Sequence, residues 1–271
     1  MARRPKKLDP TASAAALLGS KVRKHREAKG WTQDKLGPMV WVTGDQISKI
    51  EIAKRTPSWE AVVEFDRLFG TGEYFRDLWH LANKETLPEW FRPYAELEPE
   101  AASLRIFSLG IVHGLLQTED HARDLVGASQ DPETRERLVE ARMNRQEILT
   151  RKEPPWLWVV IDETAFRQAA NGNKVMRDQI AHLIELAQRP TITLQVIPMS
   201  RANYIGRSGS MTILSFDEGP HAVYVEDQVG GRLIEETSAV EKCEVRFDLI
   251  RASALSQEES LELLKEILEG L

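Results

Sequence analysis

Two threonines, Thr32 and Thr43, each stand before a run long enough for only about two helical turns, QDKLGPMV and then GDQISKIE. Each can cap the helix that follows it. Helices this short do not persist alone in water, so the pair must gain its stability by packing. Leu36, Val42, Ile47 and Ile50 are spaced to supply that packing. Two short capped helices joined by a tight connection form a helix-turn-helix, and this constrains the N-terminal fold more than any other stretch of the chain.

Further punctuation surrounds the pair. A helical pattern from Leu17 to Lys29 is closed by Gly30, and Ser58 caps a helix running to Leu68. Gly70 and Gly72 then precede a helix from about Glu73 to Ala82. The expectation is a compact five-helix all-α domain over 17–82, behind a flexible basic tail at 1–16. Charge supports a polyanion partner for this end. The whole 271-residue chain has a net charge of −6, but residues 1–55 carry 13 Lys+Arg against 5 Asp+Glu, a net of +8. The remainder carries 23 against 37, a net of −14. Such asymmetry suggests a nucleic-acid-binding end and an acidic body.

In a helix-turn-helix the second helix enters the major groove of double-stranded DNA, N-terminal end first. Thr43, Gly44, Asp45, Gln46, Ser48 and Lys49 are therefore the candidates for base edges. Lys49 could donate to guanine, Gln46 could pair adenine with both ends of its amide, and Asp45 could accept from cytosine. Thr32, Gln33 and the free N–H groups behind them suit a phosphate, as do Lys54 and Arg55 in the next loop. One short helix reads few base pairs, so two copies on a twofold site are expected.

With these residues in view, the stretch from Leu18 to Gly70 resembles the XRE-type, phage-repressor-like helix-turn-helix family. The matching marks are the TQ pair at 32–33, Leu36, the ISKIE run at 47–51 and the KRTPS run at 54–58. Three positions depart from that pattern: Gly37 stands where alanine is usual, and Trp41 and Ala53 stand where glycine is usual. Pro38 falls inside a short helix, and His25 takes a position that is commonly apolar, which reads as a partly covered core histidine.

Beyond residue 83 the pattern changes. Residues 83–100 hold three prolines with Trp90, Phe91 and Tyr94 among them, an aromatic-rich connector expected to dock on the second domain. A charged amphipathic helix is expected from Pro132 to Lys152, and another from Lys174 to Gln188. Strands are expected at 156–162, 191–198, 210–216, 221–227 and 232–237, from their β-branched and aromatic content between turn residues. Two helices, about 238–253 and 257–268, close the chain. The fold class is thus α+β overall: the helical domain, then an α+β domain over 101–271 with a mainly antiparallel sheet.

Residues from about 89 to 267 are similar to the C-terminal domain of actinobacterial antitoxin-like transcriptional regulators. The resemblance is carried by PEWFRPYAELE (88–98), GLLQTEDHARDLV (114–126), ARMNRQEIL (141–149), WVVIDETAFRQ (158–168), TLQVIP (193–198), VYVED (223–227) and ALSQEES (254–260). His113 stands where that group usually has proline. The resemblance implies transcription control, with a small protein encoded nearby as a partner.

No enzyme is expected. Asp162 and Glu163 follow a strand, as do Glu226 and Asp227, but Asp162 suits a helix cap better than an acid–base role. His113, His121, His182 and His221 lack metal-ligand spacing, and the NGN and GRSG turns fit no phosphate cradle. No cofactor and no metal are expected. Trp156 and Trp158 fall on one side of a strand and read as core. Leu261, Leu264 and Leu268 form one stripe on the last helix, which could serve as a dimer surface. A single cysteine, Cys243, read as core, excludes an intrachain disulfide, and no apolar run reaches the ~20 residues of a membrane span. The start, MARRPKKLDP, does not read as a secretory signal, so a cytoplasmic protein is expected. Three roles fit: a dimeric sequence-specific transcription factor, an antitoxin-type interaction module, or a one-component sensor of a small ligand.

Overall fold

The computed structural model describes residues 9–126, 131–167, 173–201, 203–227 and 229–271. Residues 1–8 of the basic tail lie outside these, as does most of the NGN turn. The chain divides into two units, Met1–Pro88 with Gln130–Asn144, and Glu89–Ser129 with Arg145–Leu271.

The first unit opens with five helices: α1 (Ala14–Ala28), α2 (Gln33–Met39), α3 (Gly44–Glu51), α4 (Trp59–Phe69) and α5 (Tyr74–Thr86). The four expected caps are in place, with Thr32, Thr43 and Ser58 accepting from backbone N–H groups and Gly30 in the left-handed conformation, which Gly70 also takes after α4. Leu18, Val22, Leu36, Ile47, Ile50, Val62, Phe65 and Phe75 form one apolar core. His25 is half-buried between Phe69 and Phe75, at ring separations of 5.3 and 5.4 Å. Burial, with Lys24 and Lys21 nearby, lowers its pKa. Asp66, buried in α4, accepts from the backbone N–H groups of Phe75 and Arg76 and so starts α5.

The second unit begins with α6 (Arg92–Leu97), inside the expected aromatic-rich connector, and β1 (Ser103–Ser108). There follow α7 (Glu119–Val126), α8 (Pro132–Arg145), β2 (Trp156–Asp162), α9 (Thr164–Arg167), α10 (Asn173–Leu186) and β3 (Ile192–Ile197). The chain ends with β4 (Met211–Ser215), β5 (Ala222–Glu226), β6 (Gly231–Ile234), α11 (Thr237–Arg251) and α12 (Gln257–Gly270). Most of α8 packs with the first unit, where Glu140 takes the Thr56 N–H at 3.2 Å. The first unit therefore draws on a segment from within the stretch expected to form the second domain.

Three of the five strand pairings are antiparallel, as expected of this sheet, and two are parallel. The strand order is β3-β2-β1-β4-β5-β6, with β1, β2 and β3 parallel and β4, β5 and β6 antiparallel to their neighbours. It is a mixed sheet. The parallel part begins at β1, an SLRIFS run absent from the expected strands, which sits in the middle and joins the two halves. The long connections after β1 and β2 carry helices, and helical crossovers bring strands back parallel. Both faces are covered. Phe107, Val160, Met211, Ile213 and Val223 pack with Val240, Phe247 and Ile250 of α11, while the alternating residues Leu104, Ile106, Leu157, Val159 and Ile161 are also buried.

The connector aromatics dock within this unit. Tyr94 stacks on Tyr224 at 4.3 Å and donates to Glu98 at 2.6 Å. Arg145 grips the same carboxylate twice, at 2.8 and 2.7 Å, with its guanidinium 4.5 Å from the centre of the Phe91 ring. Burial acts to raise the Glu98 pKa, but Arg145 and the Tyr94 hydroxyl outweigh it and hold the carboxyl below its usual 4.5. In α12, Leu264 is buried and Leu261 and Leu268 are half-buried, so the leucine stripe faces inward rather than offering a dimer surface. The helix packs along β3 and against α10.

These features set two stability outcomes. Ala53 holds φ at 56°, a left-handed conformation that costs a non-glycine residue roughly 1 kcal/mol. Ala53→Gly is therefore expected to raise the melting temperature. Glu98→Gln leaves Arg145 buried without its counter-charge and should cost about 3–5 kcal/mol. Because the folded carboxyl titrates below its unfolded value, its contribution is complete above about pH 4.5. That contribution disappears as pH falls through the folded value, so the melting temperature of Glu98→Gln should fall less on acidification than that of the parent.

Candidate nucleic-acid interface

Helix α3 is amphipathic because its residues alternate at helical spacing: Ile47, Ile50 and Glu51 point into the unit, while Asp45 and Lys49 are exposed. Gly44, Gln46 and Ser48 are half-buried at its edges. Its N-terminus is closed by a reciprocal capping box. Thr43 Oγ1 accepts from the Gln46 N–H at 3.2 Å, and Gln46 Oε1 accepts from the Thr43 N–H at 2.8 Å. The Gln46 carbonyl oxygen is thus already engaged, and a two-pronged contact with adenine requires the box to open. Lys49 Nζ lies 2.8 Å from Asp45. Both groups are exposed, so this ion pair is worth little and yields readily to a base or phosphate.

Two close approaches set how α2 lies on α3. A Cβ at Gly44 would come 1.9 Å from Asp34 Oδ1 and 3.0 Å from the Asp34 backbone nitrogen. The Asp34 carboxylate therefore sits at the positive end of α3, where a negative charge is stabilising. A Cβ at Gly37 would come 2.6 Å from the Val42 carbonyl oxygen, so the usual alanine does not fit this chain. Trp41, in the turn between them, takes the left-handed φ of 57° and is 69% exposed.

Beneath the surface lies a charged anchor. Glu51 is almost fully buried and accepts from Arg26 Nε, from Arg26 Nη2 at 3.0 Å, and from Gln33 Nε2 at 2.8 Å. Arg26 also donates to the Trp31 carbonyl at 2.6 Å. The Glu51 contact raises the Arg26 pKa further. Gln33, expected to turn its amide to a phosphate, spends its amide nitrogen on Glu51, while the exposed Thr32 caps α2. Lys54 is exposed. Arg55 pairs with Glu140 of α8 at 3.4 Å, which diverts one expected phosphate contact. Thr32, Thr43, Gly44, Asp45, Gln46, Ser48, Lys49 and Lys54 thus belong to one pair of helices and the loop after it. Sequence reasoning missed Arg26, Asp34 and Glu51 as the groups that hold those helices at their angle. The Glu of ISKIE was visible, but nothing in the order of residues ties it to an arginine in α1.

The second unit offers no comparable constellation among the described residues. Asp162 caps Thr164 at 2.9 Å and accepts from Tyr204 at 2.5 Å, and Glu163 takes Arg167 and the Met199 N–H. These carboxylates are engaged in holding turns. Among the described residues no group of three or more His, Cys, Asp or Glu is placed to hold a metal ion, and no helix is long and apolar enough to cross a membrane. Trp158 lines an open groove of about 380 Å³ with Thr193, Gln195, Asp248, Arg251 and Gln257. Trp156, expected in the core, is instead 54% exposed.

A family model described as a helix-turn-helix domain matches residues 17–79. A second, described as a domain of unknown function (DUF5753), matches residues 91–266. No curated protein and no solved structure matches the chain.

The cap geometry carries a direct test. Gln46→Ala should cost about 1 kcal/mol through loss of the capping box, whereas Gln46→Glu, which keeps an acceptor at that position, should melt near the parent temperature.

Proposed function

The chain belongs to the DUF5753 family, and we propose that it is a sequence-specific transcription regulator that acts as a dimer on twofold DNA sites. Its helix-turn-helix domain makes it a DNA-binding regulator. The observation that carries the finer reading is the exposed edge of α3, with Lys49 and Asp45 outward and a capped N-terminus seated on Gly44. In this reading Gly44, Asp45, Gln46, Ser48 and Lys49 meet base edges in the major groove. Thr32, Thr43, the first N–H groups of α2, Lys54 and, on leaving Glu140, Arg55 meet phosphate. Gln33 acts chiefly by holding Glu51.

The charge split of +8 and −14 suits this role, since the acidic remainder disfavours wrapping along DNA and leaves one contact face. The second unit is proposed to be a non-catalytic regulatory domain of antitoxin-like type, acting in the cytoplasm, with its acidic surface open to a small neighbour-encoded protein. The open groove beside Trp158 favours a further reading, a sensor whose small ligand shifts the DNA-binding state.

Genome-wide immunoprecipitation, with mass spectrometry of what co-purifies, identifies the operator and any partner. On that operator, Lys49→Ala is expected to weaken binding by about 1–3 kcal/mol and relax base preference, while Lys54→Ala weakens binding to all sequences and lowers the salt slope by about 1. Equal affinity for the operator and a scrambled duplex would overturn the reading.

A further inference from the structure

The open groove of about 380 Å³ lies on the α11 side of the sheet and is built by four elements. On β2 and β3, Trp158 stands directly beside Thr193 in the parallel register, with Gln195 two residues further on. Trp158 is half-buried, packed on the apolar core and open to the groove. Helix α11 turns Phe247 and Ile250 onto the sheet and Val245 and Leu249 to solvent. Asp248 and Arg251, nearly one turn apart on the same helix, line the groove, and Gln257, the first residue of α12, completes it. Trp156 lies two residues before Trp158 on the same side of β2, about 7 Å along the strand. It is more than half exposed and extends the aromatic surface beyond the groove.

The chemistry of the lining restricts the occupant. The volume is near the lower end of small-molecule sites, which run to about 1,000 Å³. Asp248 and Arg251 carry opposite charges and meet only in a long 3.8 Å contact that leaves both in water. An anion drawn to Arg251 therefore meets Asp248, and a cation drawn to Asp248 meets Arg251. Arg105, beside Trp158 on β1, is already held by Glu244, which also takes His221 at 2.9 Å. The groove is thus balanced in charge. It offers one apolar indole face ringed by both donors and acceptors: the Thr193 hydroxyl, the Arg251 guanidinium, the Asp248 carboxylate and Gln195 Oε1, whose Nε2 is spent on the Leu255 carbonyl at 2.7 Å. A ligand that satisfies all of these is neutral, has hydroxyls that both donate and accept, and has a face of C–H groups to lie on the indole. A sugar ring combines these properties. We propose that the groove is a saccharide site that takes a neutral pyranose, with its ring on Trp158 and its hydroxyls on Asp248, Arg251, Thr193 and Gln195. A second sugar unit lies against Trp156. Because the groove is open and the ligand small, the dissociation constant is expected at about 0.1–10 mM.

The inference rests on the sensor reading above and names its class of ligand. The test is a ligand-observed NMR titration of the full chain with glucose, N-acetylglucosamine, maltose and cellobiose. Glucuronate, glucosamine and phenylalanine serve as charged controls, and melting curves as fold controls. At least one neutral sugar is expected to bind, with no loss of affinity on adding salt. Asp248→Ala should weaken it roughly tenfold, while Asp248→Asn, which keeps an acceptor and removes the charge, should stay within about threefold of the parent. Trp156→Ala should weaken the disaccharide and leave the single sugar unchanged. All three variants should melt as the parent does, because the altered side chains are exposed. Binding of none of the neutral sugars overturns the saccharide site. Preference for a charged control, or loss of binding in Asp248→Asn, overturns the ligand class and leaves the sensor reading standing. A sugar that binds as expected but leaves operator affinity unchanged at saturation supports the site and overturns the sensor reading.

Discussion

The buried carboxylate of Glu51 is the contact on which the geometry of the helix-turn-helix pair depends. It joins Arg26 of α1 and Gln33 of α2 to the last residue of α3, so three helices meet at one charge. Taking a carboxylate out of water is costly, and only a partner that satisfies both oxygens offsets it. The guanidinium does so in two-pronged fashion, a geometry that lysine cannot reproduce. An apolar contact tolerates sliding; a two-pronged ion pair does not. With Glu51 fixed, and with Gly37 and Gly44 allowing close backbone approach, α2 and α3 have little freedom to change angle. The presentation of Lys49 follows from that rigidity.

The second unit uses the same device for a different end. Glu98 is held by Arg145 and Tyr94, and the aromatic rings of Phe91, Tyr94 and Tyr224 shield the pair from water. Arg145 directly follows the α8 residues that belong to the first unit, and Glu98 lies shortly after the chain enters the second. The network thus joins the two segments with which the chain enters the second unit. Burial and the neighbouring carboxylates push the phenols of Tyr94 and Tyr224 upward, which keeps both protonated as donors. Here a polar network fixes position, while the sheet core supplies the apolar burial.

Much of the first unit was legible because its signals are local. A capping threonine acts within four residues, a left-handed glycine ends a helix where it stands, and an apolar period of 3.6 shows which side faces inward. The strands from Trp156 onward were legible for the same reason. The connectivity of the sheet was not. β1 is a six-residue run in which Arg105 breaks the apolar pattern, and whether strands pair parallel depends on what lies between them. The candidate site shows the same division. Thr32, Thr43, Lys49 and Lys54 became candidates from local pattern, whereas the engagement of Gln33 by Glu51 and of Arg55 by Glu140 arises from which groups come near once the helices pack.

The sequence by itself determined that this chain begins with a capped helix pair in a basic segment and continues into an acidic α+β body. Each of those properties is written in residues adjacent along the chain. Only the tertiary structure decided that the sheet is mixed, that α8 packs with the first unit, that α12 spends its leucines inward and that α11 leaves Val245 and Leu249 outward. Those outcomes depend on how surfaces far apart in sequence compete for the same buried space, and short-range pattern carries no record of that competition.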